Sequence, residues 1–298
     1  MCDKIKTYHV DKLINNAKMD KKLGQFINEN EYKYIFDTDV DVYDENGKLL
    51  VCMRKKIIPE NITKLAKKHY MNEAKKSKTT SRGYASGKVD IKNLSSNVLK
   101  VMNPERCKSK IMFKNGKITN YSVCNKVNSM IVGYYDKPIL KKYKKMVKKG
   151  RETAFTLNKS HEWNGSLPFI EYADYIFEKV HPEQYKKQKE FIKDIDEEFM
   201  IGNTIFTTVT INYNFRTATH KDTGNLEDAY SVFTVCEQGE WKGCYLGYPQ
   251  YGICLNVREG DFVLMNPHLH HSNTEFKDTG EDFSRKSFVM YARKGFLK

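Results

Sequence analysis

From Phe206 to Asn214 apolar and polar positions alternate, the period-two signature of a strand with one buried face. Further strand-like runs follow at 230–236, 243–248, 251–257, 260–265 and 285–293, with the first extending over 204–214, and glycine-bearing turns separate them. Short strands in that rhythm predict a jelly-roll or double-stranded β-helix, which brings residues distant in sequence to one barrel mouth. Ahead of it the pattern is mixed. Residues 1–35 read as one or two short helices. Asp37–Ile58 reads as a hairpin whose Asn46-Gly47 turn favours positive φ at both central positions. Pro59 introduces a helix running to about Lys76, with Ile62, Leu65, Ala66 and Tyr70 on its apolar face.

Lys75–Lys88 has a loop composition, and Ser129–Asp136 is an apolar strand ending in a turn. Lys137–Gly150 carries helical spacing, with proline near the first turn and glycine past the end. Arg151–Thr156 is strand-like, Pro168 starts an amphipathic helix, and Pro182 starts another that reaches about Phe199. No internal repeat or long linker breaks the chain. The expected architecture is α+β and a single unit over 1–298. A basic helical and hairpin support region (1–200) would buttress a β-helix core (201–298).

Composition changes this picture in one respect. The net charge is +14, yet residues 201–298 hold 10 basic and 11 acidic side chains, so the whole excess lies in the first 200. That is the footprint of a polyanion lying across the N-terminal part while chemistry proceeds elsewhere. The competing explanation for any one lysine run is a solvated surface in a lysine-rich chain. No apolar run approaches the length of a membrane helix, and the N-terminus lacks the apolar core of a secretory signal. Seven scattered cysteines form no CxxC pair, so free thiols and an intracellular setting, cytoplasm or nucleus, are expected.

Candidate chemistry sits in three pieces: Thr219-His220-Lys221-Asp222, His270-His271-Ser272-Asn273-Thr274 and Arg285-Lys286-Ser287-Phe288-Val289-Met290-Tyr291. If strand geometry continues past Asn214, His220 and Asp222 point the same way, since alternate side chains share a face. One more imidazole would complete two histidines and a carboxylate on one face of an iron, leaving positions for O2 and a chelating co-substrate. By spacing, His268, His270 and His271 are all available for that place. An arginine suits the far carboxylate of 2-oxoglutarate because its planar fork binds in a bidentate way that a lysine cannot match. Arg285 is preferred and Arg293, on the same face of an extended strand, competes. Only eight of the 51 basic residues are arginine.

Together the three pieces resemble the TET/JBP family of Fe(II)- and 2-oxoglutarate-dependent nucleobase dioxygenases. In that family a His-x-Asp follows an alternating strand, a second histidine opens a short polar tail, and an arginine begins a strand about fourteen residues on. The resemblance selects His271 as third ligand and Arg285 as the 2-oxoglutarate anchor. It implies hydroxylation of the methyl group of thymine or 5-methylcytosine, in DNA rather than RNA, with a duplex base turned out of its stack. Asn225 completes a His-x-Asp-x-x-Asn pattern whose asparagine contacts the base in TET members. Arg293 falls where they carry a base-contacting histidine, a departure that leaves the base open. The loop Ser81-Arg82-Gly83-Tyr84-Ala85-Ser86-Gly87 resembles a segment of phage and viral JBP-like members. Arg82 there, and Lys141, Lys144, Lys145 and Lys148 in the lysine helix, are the candidate nucleic-acid contacts. No membrane or protein partner is indicated. Two other readings stand beside this one: a protein or small-molecule hydroxylase on the same barrel, and a nucleic-acid-binding module without catalysis.

Overall fold

Strand alternation in this chain separates two hydrophobic cores, one inside a barrel and one beneath helices. The computed structural model describes residues 5–136 and 150–297. The expected lysine helix, with Lys141, Lys144, Lys145 and Lys148, therefore lies outside the described residues. Four strands come early, β1 Lys6–Val10, β2 Tyr34–Phe36, β3 Val40–Asp44 and β4 Leu49–Arg54, with a short helix α1 Asn16–Asp20 between the first two. Helix α2 (Glu60–Lys76) precedes β5 Lys78–Thr79, β6 Val98–Val101, β7 Ile111–Phe113, β8 Val127–Asp136 and β9 Gly150–Glu152. Helices α3 Ala154–Asn158, α4 Ser160–Val180 and α5 Pro182–Phe191 come next. Then follow β10 Thr208–Tyr213, β11 Ser231–Gln238, β12 Lys242–Gly243, β13 Leu246–Tyr248 and β14 Ile253–Leu255. The last four are β15 Phe262–Met265, β16 Ser272–Asn273, β17 Phe276–Lys277 and β18 Ser284–Tyr291.

A large sheet runs β1-β3-β4-β15-β11-β18-β10-β8-β5, with β9 beside β8, and a small sheet runs β16-β13-β14-β2. The first 200 residues thus contribute strands to both sheets as well as helices behind them. The two sheets face each other over Val51, Met53, Phe233, Val235 and Val263 from the large one and Leu246, Tyr248, Ile253 and Leu255 from the small one. The alternate residues of the same large-sheet strands, among them Val209, Ile211, Val232, Phe262, Phe288 and Met290, pack outward against α2 and α4. This is a double-stranded β-helix with helices on one outer face, as the alternation predicts. Among the described residues no helix is long and apolar enough to cross a membrane.

Local departures from the sequence expectations have physical causes. The region 1–35 is not mainly helical, because β1 and β2 pair parallel with β3 and β14 and so satisfy their backbones in the barrel. In the hairpin turn only Gly47 takes positive φ (76°), while Asp44 Oδ1 accepts from the backbone N–H of Asn46 and Lys48. The aspartate side chain stabilises a turn that needs one left-handed residue instead of two. Arg151–Thr156 is strand only to Glu152; Thr153 then caps α3, its hydroxyl accepting from the Thr156 N–H.

Helix α4 begins eight residues before Pro168, which lies inside it. Proline is tolerated there because it sits on the exposed face, where water serves the carbonyl it leaves free, while Trp163, Phe169, Ile170 and Phe177 bury the other face. Burying such side chains is worth about 1.5–3 kcal/mol each. The crossing of α4 over α2 depends on Gly165, where a Cβ would stand 2.4 Å from the His69 ring. Beyond Phe191 the expected continuation of α5 breaks into two 3-10 turns, Ile192–Asp194 and Glu197–Phe199.

Candidate active site

The regular part of β10 ends at Tyr213, and Asn214 takes a left-handed φ of 44°. His220 and Asp222 are therefore not strand neighbours sharing a pleat. Their segment is irregular and bonds outward: Ala218 N–H donates to Ala85 O, Thr219 N–H to Gln25 O and Asp222 N–H to Pro267 O. His220 and His271 exchange both backbone hydrogen bonds, 3.0 and 2.9 Å, across an isolated antiparallel bridge. That bridge sets the imidazoles side by side with centroids 4.2 Å apart.

Each ring is then oriented the same way. His220 Nδ1 lies 2.8 Å from Ala218 O, and His271 Nδ1 lies 2.9 Å from Leu269 O. Carbonyl acceptors place the proton on Nδ1 and leave the Nε2 lone pair free. Both Nε2 atoms turn to Asp222, at 3.6 Å (Oδ1) from His220 and 3.9 Å (Oδ2) from His271. The three ligand atoms lie within 4.8 Å of one another. Cis ligands at about 2.1 Å from one ion stand about 3 Å apart, so small side-chain rotations close the set on a cation. Burial, with His271 alongside, holds the His220 imidazole down at about 4, neutral at physiological pH and fit to ligate.

The other two histidines are excluded by their contacts. His270 is buried with Nδ1 2.8 Å from Gln250 Oε1 and Nε2 2.7 Å from Asp20 Oδ1. His268 Nε2 lies 2.8 Å from Leu226 O.

Arg285 is the second residue of β18, on the same face as Ser287, Val289 and Tyr291; those three line a cavity of about 1150 Å³ together with His220, Asp222 and His271, and Arg285 itself lies behind that lining. Arg285 is 2 % exposed, lies over Phe233 (5.6 Å) and Trp241 (5.8 Å), and its Nε and Nη2 have no hydrogen-bond partner among the described residues. Glu237, directly opposite on β11, directs its carboxylate to Arg258 instead, at 3.6 Å. A buried guanidinium with no carboxylate partner among the described residues is costly, and a dicarboxylate reaching it from the neighbouring cavity would relieve it. Donor set and orphaned guanidinium together fit iron with 2-oxoglutarate.

Arg293 is differently placed. Its Nε donates to Asp136, Nη1 donates to Tyr291 Oη at 3.2 Å, and the guanidinium lies 4.5 Å over the Tyr135 ring. Arg293 is thus partly engaged by Asp136, whereas Nε and Nη2 of Arg285 have no hydrogen-bond partner among the described residues. Asn225 bridges to Arg293 through the backbone, donates from Nδ2 to Ser231 Oγ at 2.6 Å, and lines the same cavity. Arg82 is half-buried in the cavity wall, donating to Met130 O at 3.3 Å, and its Nε has no hydrogen-bond partner among the described residues. It faces inward toward the cluster, where the sequence suggested an outward grip on a backbone.

Sequence reasoning missed Asp136, Tyr135 and the Phe233–Trp241 shelf. The parity of β18 would have added Ser287 and Tyr291 to the cavity face. Nothing local marked the others.

A double-stranded β-helix with two imidazoles, one carboxylate and a buried arginine at its open end defines the class of mononuclear-iron oxygenases that use a 2-oxo acid. Comparison with known proteins narrows the class. Residues 130–294 match the Tet_JBP family, described as the oxygenase domain of the 2OGFeDO superfamily. The chain belongs to that family, whose members use Fe(II) with 2-oxoglutarate and O2. Thymine dioxygenase JBP1 of Trypanosoma brucei brucei is 35% identical over 170 residues, 56% of this chain and 19% of that protein. Thymine dioxygenase JBP1 of Leishmania tarentolae is 36% identical over 147 residues, 49% of this chain and 17% of its own. The chain thus matches about a fifth of the length of these curated relatives. Among solved structures, NgTET1 in complex with 5mC DNA superposes with a TM-score of 0.57 at 12% identity, over 96% of this chain and 93% of that one, a likeness of fold.

Proposed function

We propose that this protein is an Fe(II)- and 2-oxoglutarate-dependent dioxygenase that hydroxylates the methyl group of a pyrimidine in DNA, with thymine favoured by its 35% identical relatives. The observation that carries the reading is the convergence of His220 Nε2, His271 Nε2 and an Asp222 oxygen at the wall of an open cavity. These three side chains would hold the iron, and Arg285 would take the far carboxylate of 2-oxoglutarate in a bidentate grip. When bound, the iron with 2-oxoglutarate and O2 supplies the oxidation of a methyl C–H bond to hydroxymethyl, releasing succinate and CO2.

What the chain contributes is orientation and shielding. The Ala218 and Leu269 carbonyls fix both imidazole tautomers, and Phe233 and Trp241 keep water from Arg285, which strengthens its pairing. Arg293 offers only N–H donors, complementary to the carbonyl oxygens of a pyrimidine, and its Nε pair with Asp136 fixes the plane of the guanidinium. Asn225, with Nδ2 engaged by Ser231, keeps its amide oxygen as an acceptor for a base N–H. Tyr135 and Tyr291 provide rings beside which an extruded base stacks.

The test is nucleoside mass spectrometry after incubating the protein with iron, 2-oxoglutarate and duplex DNA containing thymine alone or 5-methylcytosine as well. A hydroxymethylated pyrimidine is expected, with thymine the preferred substrate. Succinate without any oxidised base would favour a protein or small-molecule hydroxylase. DNA binding that persists without any iron binding would favour the non-catalytic module.

A further inference from the structure

Residues 88–126 form a small lobe ahead of the stretch that matches the family. It has its own core of Val89, Val98, Val101, Ile111 and Val123 around the β6–β7 hairpin. Asn125 fixes its base by donating to Ser86 O (2.8 Å) and Lys88 O (2.6 Å) and accepting from the Asp90 N–H (2.7 Å). The lobe is therefore seated on the loop that carries Arg82 and Tyr84 into the cavity wall, and its own Lys108 lines the same cavity. Within these 39 residues stand nine lysines and arginines against two acids, which accounts for half of the chain's net charge of +14.

All nine cations are exposed. Among the described residues only Arg106 has a carboxylate within ion-pair distance, its neighbour Glu105 at 3.6 Å. Elsewhere some exposed lysines find acids, as Lys64 with Glu60 and Lys242 with Asp278, while others, as Lys186, Lys187 and Lys189 on α5, have none within ion-pair distance among the described residues. What sets the lobe apart is the density of its charge, nine cations against two acids in 39 residues, and its place beside the cavity. Concentrated, uncompensated charge held rigidly beside a reactive cavity has the character of a phosphate-binding surface.

We propose that this lobe is a clamp for the phosphate backbone of duplex DNA flanking the base under attack, with Lys100, Lys110, Lys114 and Lys117 of the hairpin as its principal contacts. The inference rests on the DNA-directed function above and adds the surface that holds the duplex. Charge neutralised at each phosphate releases condensed counter-ions, so affinity must fall steeply with salt.

The experiment measures binding of a fluorescent duplex by anisotropy across a salt series. It compares the wild-type chain, a lobe variant (K100Q, K110Q, K114Q, K117Q) and a charge-matched control on the helices behind the sheet (K179Q, K186Q, K187Q, K189Q). Anaerobic binding of iron and 2-oxoglutarate reports that each variant is folded. The lobe variant is expected to lose at least about tenfold in affinity and to flatten the log–log salt slope by about 3, while the control keeps both near wild type. A lobe variant that binds with wild-type affinity and slope, or a control that loses as much, overturns the clamp while leaving the proposed function standing. A wild-type chain with no salt-dependent binding overturns that function and the clamp with it.

Discussion

His220 and His271 are joined backbone to backbone by a reciprocal pair of hydrogen bonds, and each ring is pinned through Nδ1 to the carbonyl two residues before it. The pairing is symmetric: two segments about fifty residues apart in sequence present two equivalent lone pairs to one carboxylate. Preorganisation of this kind means that a cation has little to rearrange on binding.

The neighbouring His270 has the opposite role. Both its nitrogens are engaged, by Gln250 and Asp20, so His270→Ala leaves a cavity and an unpaired Gln250 oxygen. The expected result is a loss of about 1–3 kcal/mol in urea-induced unfolding with iron stoichiometry unchanged. A variant as stable as wild type but devoid of iron would show that the ligand assignment among the histidines is wrong.

Arg285 separates binding from stability. Under the proposal, Arg285→Lys raises the KM for 2-oxoglutarate about 100-fold, a cost of about 3 kcal/mol, because an ammonium cannot reproduce the bidentate fork. Arg285→Met removes 2-oxoglutarate binding and yet leaves the apo protein as stable as wild type or more so, since it deletes a buried charge whose Nε and Nη2 have no hydrogen-bond partner among the described residues. Isothermal titration and thermal unfolding of the same samples check both halves. A large drop in apo stability for the methionine variant would mean that the guanidinium has a structural partner.

Under the proposal Arg293 contacts the base. Arg293→Ala is expected to lower kcat/KM for DNA about 100-fold while the dissociation constant for 2-oxoglutarate stays where it was. Asp136→Asn, which weakens the grip on Nε without removing the guanidinium, should fall between the two. If Arg293→Ala instead weakened 2-oxoglutarate binding as Arg285→Lys does, the two arginines would have to exchange roles.

A structural carboxyl gives a pH signature away from the site. Burial raises Asp174 to about 6, even though its oxygens accept from the Ile205 N–H (2.9 Å) and the Tyr185 hydroxyl (2.7 Å). The folded state thus holds a proton more tightly than the unfolded chain. Stability falls as pH rises from about 4 to about 6 and is level above, by about 2–3 kcal/mol from this group. Asp174→Asn removes that dependence, so its stability relative to wild type should climb across the same window. Parallel pH profiles for the two proteins would refute the assignment.

Much of this was legible in the sequence where the local code and the tertiary outcome coincide. The alternation in 206–214 marked β10 because Val209 and Ile211 face the core while Thr210 and Asn212 face the cavity, and the strand-like run at 285–293 marked β18. The grouping of His220, Asp222 and His271 came from spacing and resemblance, but the reason assigned to it differed: continuing strand geometry was expected, and a cross-chain bridge to His271 does the positioning. Pairing partners such as that bridge, or Asp136 under Arg293, join segments with no periodic relationship, so no window of sequence contains them. The N-terminal strands escaped notice for a similar cause. Lys6–Val10 and Tyr34–Phe36 are short and largely exposed, and they are strands only because β3 and β14 offer free edges.

Anaerobic titration of the apo protein with Fe(II) in the presence of 2-oxoglutarate, followed by the charge-transfer absorbance of the chelate, is the decisive measurement for the metal site. One iron per chain is expected for wild type and for His270→Ala, with binding lost in Asp222→Ala and in His271→Ala. Undiminished iron binding after either of those two substitutions, or none in the wild type, would contradict the assignment of His220, Asp222 and His271 as the metal site.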